Sequence, residues 1–455
     1  MTKETYSFKT LPFSKLFKSY VHEFSTLKDF YSVNPFDESD IKGKASSVKK
    51  IKSHSEYIPA LEDLHAQLGI SQNEQLHKLA KDDSLVIVTG QQLGVYGGPL
   101  FTVNKTISAI LFAKEWEKKL SRPIVPVFWL ADEDHDFEEV SWFGIPGNEE
   151  FSKVEYKENS KDEMVSDIPI TSSIKELKES IKEEMFETDF SNDLWALFDS
   201  WYEEGVTFGK AFAQMMDELF GKYGLLIVGS NSKAIKSLVA NSFKSSIENA
   251  SEINNSLKKQ SEKLSDEFHQ QVVLGDSNLF YIDEKKKRIK IELNGDNWKA
   301  GDQTWSKTEL VKLIESNPEQ FSPNVFLRPV IQDQLLPTLG YVAGPGEVAY
   351  YGQMKELYPH FDLEMPVIFP RFSATLIESG IDRILDKIPF EFHRYGERIE
   401  DLEKEYAKRS ESTDVEALFN EWKTGIESIS EKPTEVIKEI DGSLGGLVGK
   451  TVSGF

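Results

Sequence analysis

Cysteine is absent from all 455 residues. That excludes disulfides, thiolate-ligated zinc and a catalytic thiol, and it fits a reducing compartment. Basic charge is scarce: 53 Lys and Arg stand against 76 Asp and Glu, a net charge of −23. Duplex nucleic acid needs a basic footprint, so no nucleic-acid partner is expected, and an anionic membrane surface is disfavoured for the same reason. Local basic pockets for small anions stay open. Long apolar runs are missing too. No stretch approaches the roughly 20 residues of a membrane span, and the N-terminus MTKETYSFKTLPFSKLFKSY lacks the apolar core of a signal peptide. No internal repeat is visible. These absences lead us to expect a cytoplasmic protein with no membrane partner.

What is present is ample core material. Hydrophobic residues make up 39%, with 30 Phe, 15 Tyr and 8 Trp, which excludes wholesale disorder. At about 150 residues per domain, the length predicts two or three domains.

Residues 1–80 read as helical, with Leu16, Phe17, Tyr20, Phe24, Leu27 and Phe30 three or four apart. SLVIVTG (84–90) is a short β-branched run and reads as a buried strand. A Gly-rich turn follows, then a helix from Leu100 to Leu120 with Val103, Ile107, Ile110 and Leu111 at helical spacing. Pro123 opens the next strand, PIVPVFWLAD. Strand, turn, helix, strand is a βαβ unit and predicts a parallel sheet. Further strands are expected in GLLIVG (224–229), within VFLRPVIQ (325–332) and within MPVIFP (365–370). The charged intervals 141–222 and 255–322 read as insertions, and 278–293 as a hairpin turning at Asp283–Lys285. The fold class expected is α/β: a Rossmann-like, doubly wound parallel core over 1–375 with two inserted subdomains, then a charged helical coiled-coil arm over 376–455. Ile377, Ile381, Leu385 and Ile388 carry the arm's spacing, and Pro389 and Pro433 interrupt it.

Three segments carry candidate chemistry. In TGQQLGVYGGPLFTVNK (89–105), Gly90, Gly94, Gly97 and Gly98 crowd a strand-to-helix turn. Glycines there let backbone approach a ligand, and the helix N-terminus offers N–H donors to an anion. Gln91, Gln92, Thr102 and Lys105 complete a candidate nucleotide or phosphate site. The alternative is a tight turn with close helix–strand packing. The pattern is neither of the standard dinucleotide or phosphate-loop motifs.

In ADEDHDFEEV (131–140), six of the eight residues from Asp132 to Glu139 are acidic, with His135 among them. Ligands in open parallel sheets sit at the carboxyl ends of strands, so this run and the glycine turn should share one crevice. Asp134, His135 and Asp136 are candidates for proton transfer, and the carboxylates for holding Mg²⁺ against phosphates. A solvated acidic turn is the bland alternative. The other seven histidines lack zinc spacing.

In SPNVFLRPVIQDQLLPTLGYVAGPGEVAYYGQM (322–354), Arg328 and Asp333 sit among apolar residues, and Glu347 is placed to start a helix. An internal Arg328–Asp333 salt bridge is one reading. Carboxylate or phosphate binding by Arg328 is the other, with Arg371 in a similar position after MPVIFP. GGLVGKT (445–451) is one residue short of a phosphate loop and is set aside.

Together these segments resemble the bacillithiol-biosynthesis cysteine-adding enzymes, the BshC family. The resemblance covers nearly the whole chain. It implies a ligase that joins cysteine to glucosaminyl-malate through an amide, on a Rossmann-like core with connecting subdomains and a dimerising coiled coil. It also implies likeness to class I aminoacyl-tRNA synthetases and to the cysteine ligase of mycothiol synthesis. In those, the turn matching Gly94, Gly97, Gly98, Pro99 and Thr102 holds ATP phosphates. Two departures stand out. The chain stops at Phe455, near where the family's arm returns, so a shortened arm is expected. The strand GLLIVG ends in Gly229–Ser230, where the resemblance leads us to expect Asp, so a polar contact at that strand end is expected to be missing.

Amide formation from a free carboxylate is uphill in water, so the cysteine carboxyl must be activated, with ATP or another adenine nucleotide the expected cosubstrate. His135 or a neighbouring carboxylate would take the amine proton. Arg328 and Arg371, with Asp333 and Glu347 beside them, would meet the malate. A nucleotide-binding coiled-coil scaffold without ligase activity, or a ligase for another amino acid, remains the alternative expectation.

Overall fold

The computed structural model describes residues 4–146, 151–158, 163–185, 187–410, 421 and 423–425. Its contacts divide the chain into two units, Phe13–Ala374 and Met1–Pro12 with Thr375–Phe455.

The first unit is built on a five-stranded sheet: β1 Leu85–Gln91, β2 Ile124–Leu130, β3 Leu226–Val228, β4 Thr338–Ala343 and β5 Val367–Pro370. The order is β5-β4-β1-β2-β3, and every pairing is parallel. β1 and β2 run in register from Leu85 beside Ile124 to Gln91 beside Leu130. These strands are buried almost throughout, which is why they read as unbroken apolar runs rather than alternating ones. One apolar cluster gathers Phe128, Leu130 and Ile227 with Phe208 and Phe212; a second gathers Ile87, Ile124, Val342 and Phe369 with Ala109 and Ala113.

Helix α1, Phe101–Leu120, follows β1 as expected. Helix α2, Lys233–Glu248, follows β3. Between β2 and β3 lie a hairpin (Trp142–Pro146 with Phe151–Glu155) and helices Ser173–Glu184, Ser191–Trp201 and Phe208–Phe220. Between β3 and β4 lie two small antiparallel sheets. One contains the expected hairpin, Leu279–Ile282 with Arg288–Lys290, with Phe321–Pro323 alongside.

One expectation is corrected. The fourth strand is not within 325–332. That segment forms helix α3, Leu327–Leu335, and the strand is the next run, Thr338–Ala343. The side chain of Asn324 accepts from the N–H groups of Phe326 and Leu327 and starts the helix. Leu327, Val330, Ile331 and Leu335 then fall on one buried face. A fully buried helix hides its period among apolar neighbours. Helix α4, Pro345–Gly352, follows β4.

In the second unit the described helices include Ser379–Leu385 and Ile399–Ser410, on either side of Pro389. Pro433 and the segment 445–451 lie outside the described residues.

Candidate functional site

β1 and β4 are neighbours, but the chain runs outward from β1 through β2 and β3 on one side and through β4 and β5 on the other. The switch point therefore lies between β1 and β4, where an open α/β sheet leaves a crevice at its carboxyl edge. Gly90, near the end of β1, is required by close packing: a Cβ there would lie 2.8 Å from the Trp129 carbonyl oxygen. The turn beyond it folds back on itself, and a Cβ on Gly94 would meet Gly98 Cα at 2.5 Å. Gly97 and Gly98 have φ of 93° and 66°. For these glycines the tight-turn reading accounts for the residue type. The turn delivers the start of α1, where the Thr102 hydroxyl is buried with no hydrogen-bond partner.

One turn on, Lys105 is only 2% exposed. Its ammonium donates to the Gly90 carbonyl (2.5 Å) and Gln91 Oε1 (3.3 Å) and pairs with Glu347 Oε2 at 2.7 Å. Glu347 is held on both oxygens: Tyr341 O–H donates to Oε1 and the Gly344 N–H to Oε2, each at 2.7 Å. The second bond is the capping of α4 that the helix-start position predicted. Burial pulls the Lys105 ammonium below its ordinary pKa; Glu347 opposes this, while Arg328 and Arg371 reinforce it. The Arg328 guanidinium lies 5.6 Å from the Tyr341 ring centroid, and that of Arg371 lies 5.7 Å from the Phe101 ring centroid. Three cations thus share one carboxylate, and the surplus is positive.

Asp333 does not join them. It accepts from Gln332 Nε2 (2.9 Å) and Tyr358 O–H (3.1 Å) near Thr338, the first residue of β4, at the opposite edge of the sheet. Burial pushes its carboxyl up to about 6. The Arg328–Asp333 salt bridge is not formed. Gln332 stands between them instead, accepting from Arg328 Nη1 at 3.3 Å.

The acid segment after β2 separates into structural and open members. Asp132 Oδ1 accepts from the Ser230 N–H (3.1 Å) and Oδ2 from the Asn231 N–H (3.0 Å). Burial raises its pKa well above the usual carboxylate range, and Glu133 adds to the shift. A Cβ on Gly229 would lie 2.1 Å from Asp132 Oδ2. The expectation of a missing polar contact at the end of β3 is corrected: the contact is present, supplied from β2, and Gly229 makes room for it. Glu133 pairs with Lys236 of α2 at 2.8 Å, both nearly fully buried, and accepts from Ser230 Oγ at 2.5 Å.

Asp134 accepts the N–H groups of His135 and Asp136 on one oxygen and Gln92 Nε2 (2.7 Å) on the other. Asp136 caps the short helix Phe137–Val140. Gln92 also donates to Glu139 at 2.8 Å, which ties the glycine turn to the acid segment as the shared-crevice argument required. Among the described residues no three His, Asp or Glu converge as a metal site. With Asp132, Glu133 and Asp134 so engaged, the run does not fit a preformed Mg²⁺ cage.

Sequence reasoning missed Lys236, Ser230, Tyr341 and Arg288. Lys236 sits at helical spacing among buried residues of α2, and a lysine on such a face signals a buried partner. Arg288 follows the hairpin turn at Asp283–Lys285, and only the fold shows that it reaches His135, with Nη1 3.4 Å from Nδ1.

Comparison with known proteins decides the family. The family described as bacillithiol biosynthesis BshC, N-terminal Rossmann-like domain, matches residues 1–372. The chain belongs to the BshC family. Relatives named cysteine ligase BshC include that of Salinibacter ruber, 31% identical over 97% of this chain and 82% of its own length. That of Geobacillus kaustophilus is 33% identical over 83% of this chain and 71% of its own. That of Chloroherpeton thalassium is 31% identical over 97% and 82%. Among the described residues of this BshC-family chain, no helix is long and apolar enough to cross a membrane.

Proposed function

We propose that this BshC-family chain is a carbon–nitrogen ligase of bacillithiol biosynthesis, joining the carboxyl of cysteine to the amine of glucosaminyl-malate. The observation that carries this is the cationic pocket at the β1–β4 switch point, where Lys105, Arg328 and Arg371 face a single carboxylate, Glu347. Such a pocket suits the malyl carboxylates, which guanidinium forks bind in pairs. ATP is the energy source. Its phosphate meets the N–H groups at the start of α1, and the unpartnered Thr102 hydroxyl supports that placement.

A cysteine carboxylate oxygen attacks the α-phosphorus of ATP and expels pyrophosphate, giving an adenylate, or attacks the γ-phosphorus and expels ADP, giving an acyl phosphate. The amine nitrogen then forms the C–N bond as the C–O bond to phosphorus breaks; AMP or phosphate leaves with the electron pair, and the nitrogen gives its second proton to water. The ammonium proton has already passed to a carboxylate of the acid segment, because only the free amine attacks. Asp134, half-buried where Asp132 and Glu133 are sealed, is assigned the task. Homodimerisation through the region after Ala374 belongs to the same proposal, supported by exposed Leu376, Ile377, Ile381 and Ile384; sedimentation of the full chain tests it.

The reaction itself is tested with the purified chain, cysteine, glucosaminyl-malate and Mg-ATP, read by mass spectrometry. Bacillithiol is expected only in the complete mixture, with no product when serine replaces cysteine. An equal yield with serine would assign a ligase of another specificity. Absence of any amide from folded, nucleotide-binding protein would leave a scaffold.

A further inference from the structure

Arg288 takes no part in the function proposed above, yet a hairpin remote in sequence delivers it to the acid segment. We propose that Arg288 is a positioning residue that fixes the proton of His135 on Nε2, which makes His135 a hydrogen-bond donor rather than a proton acceptor.

A guanidinium has donors and no acceptor. Arg288 Nη1 lies in hydrogen-bonding geometry 3.4 Å from His135 Nδ1, so Nδ1 is the acceptor. A neutral imidazole that accepts at Nδ1 carries its proton on Nε2. Arg288 is itself anchored: Nε donates to Ser322 Oγ at 2.9 Å and Nη2 to the Pro323 carbonyl. Its guanidinium also lies 4.0 Å from the Phe280 ring centroid, and the His135 ring packs 6.0 Å from the same phenyl group. Phe280 therefore sets the spacing of cation and imidazole.

Among the described residues, the charges near this contact have partners of their own. Asp134 Oδ1 is 3.9 Å from Nδ1, but it already accepts two backbone N–H groups. Glu133 attracts Arg288 but is neutralised by Lys236. On the hairpin, Lys286 pairs with Asp167. With Nδ1 accepting, the ring carries its N–H on Nε2. On the ligase reading, that N–H donates to a phosphate oxygen or to the oxyanion formed as the amine adds. This last step alone rests on that reading.

The test is nitrogen NMR of the full chain labelled with ¹⁵N-histidine, without substrate. The expected His135 signals are those of the Nε2–H tautomer; an Nδ1–H tautomer would overturn the proposal even before any variant is made. In Arg288→Met, which keeps packing on Phe280 and removes the donor, the tautomers are expected to mix. Unchanged ring signals in a folded variant would overturn it too.

In the ligase assay, His135→Gln keeps an N–H donor and is expected to hold activity within about tenfold, whereas His135→Ala loses far more. Equal losses would remove the donor role. If the unaltered chain makes no product, the ligase reading fails while the tautomer result still decides the role of Arg288.

Discussion

The two halves of one strand edge bury a lysine in different ways. At the ends of β2 and β3, Lys236 and Glu133 are both sealed, with side chains 2% and 6% exposed. At the ends of β1 and β4, Lys105 is equally sealed, but Glu347 is 20% exposed. A closed pair has nothing left to give to a ligand and acts as scaffold. A pair with one open end, flanked by two further cations, can exchange its carboxylate for that of a substrate. Charge follows the same division: the first half is rich in carboxylates and the second in cations, which suits the proposed joining of an amine to an activated acid.

The largest effect should come from breaking the closed pair. Lys236→Met strands the Glu133 charge and is expected to lower unfolding free energy by about 3–5 kcal/mol in urea titration. Adding Glu133→Gln should recover most of that loss. Lys105→Met should cost less, because Glu347 can turn to water, but it should abolish anion binding. If the two lysines prove equally costly, the distinction between closed and open pairs is lost.

The opposite edge of the sheet supplies a control without a cation partner in contact. Burial holds the Asp333 carboxyl at about 6, against about 4 unfolded. Between those values the folded state binds more protons, so stability falls as pH rises from about 4 to about 6, by up to about 3 kcal/mol, and levels off above. Asp333→Asn should flatten that slope in urea titrations across the window; an unchanged slope would assign it elsewhere.

Arg371→Met and Arg328→Met sharpen the open half. Each is expected to raise KM for glucosaminyl-malate about 10- to 100-fold, the worth of one charge-assisted bond. The KM for cysteine should stay put, and a fall in kcat alone would place these residues at the reacting atoms instead. Smallest is Gly229→Ala in the closed half. Its methyl group would collide with the Asp132 carboxylate, and a loss of about 1–3 kcal/mol is expected. Asp132→Ala in the same chain should relieve the collision, which a melting comparison of the single and double variants would show.

Much of this was legible in the sequence because strand ends are punctuated. SLVIVTG and PVFWLAD announce buried strands by composition, and their ends place Gly90 and the acid run in one crevice without any coordinates. Glu347 was legible through its place three residues into a helix. What stayed hidden depends on facing. Nothing in VFLRPVIQ separates a buried helix from a buried strand, and that ambiguity turned Arg328 and Asp333 into apparent partners when Gln332 of α3 stands between them. Within the acid run, sequence cannot tell the carboxylates that tie backbone N–H groups (Asp132, Asp134, Asp136) from the one that meets a lysine (Glu133). Arg288 depends on a contact 153 residues away.

Gln332 constrains which sequences this family member could drift through. Its buried amide accepts from Arg328 and donates to Asp333, so only one orientation serves both neighbours. Glutamate there would face Asp333 with a second acid, and methionine would leave both neighbours short of a partner. Neither charged residue can be exchanged without disturbing the amide between them. Three positions of α3 are therefore bound into a single unit of inheritance, and a change at one edge of the sheet must be answered at the other.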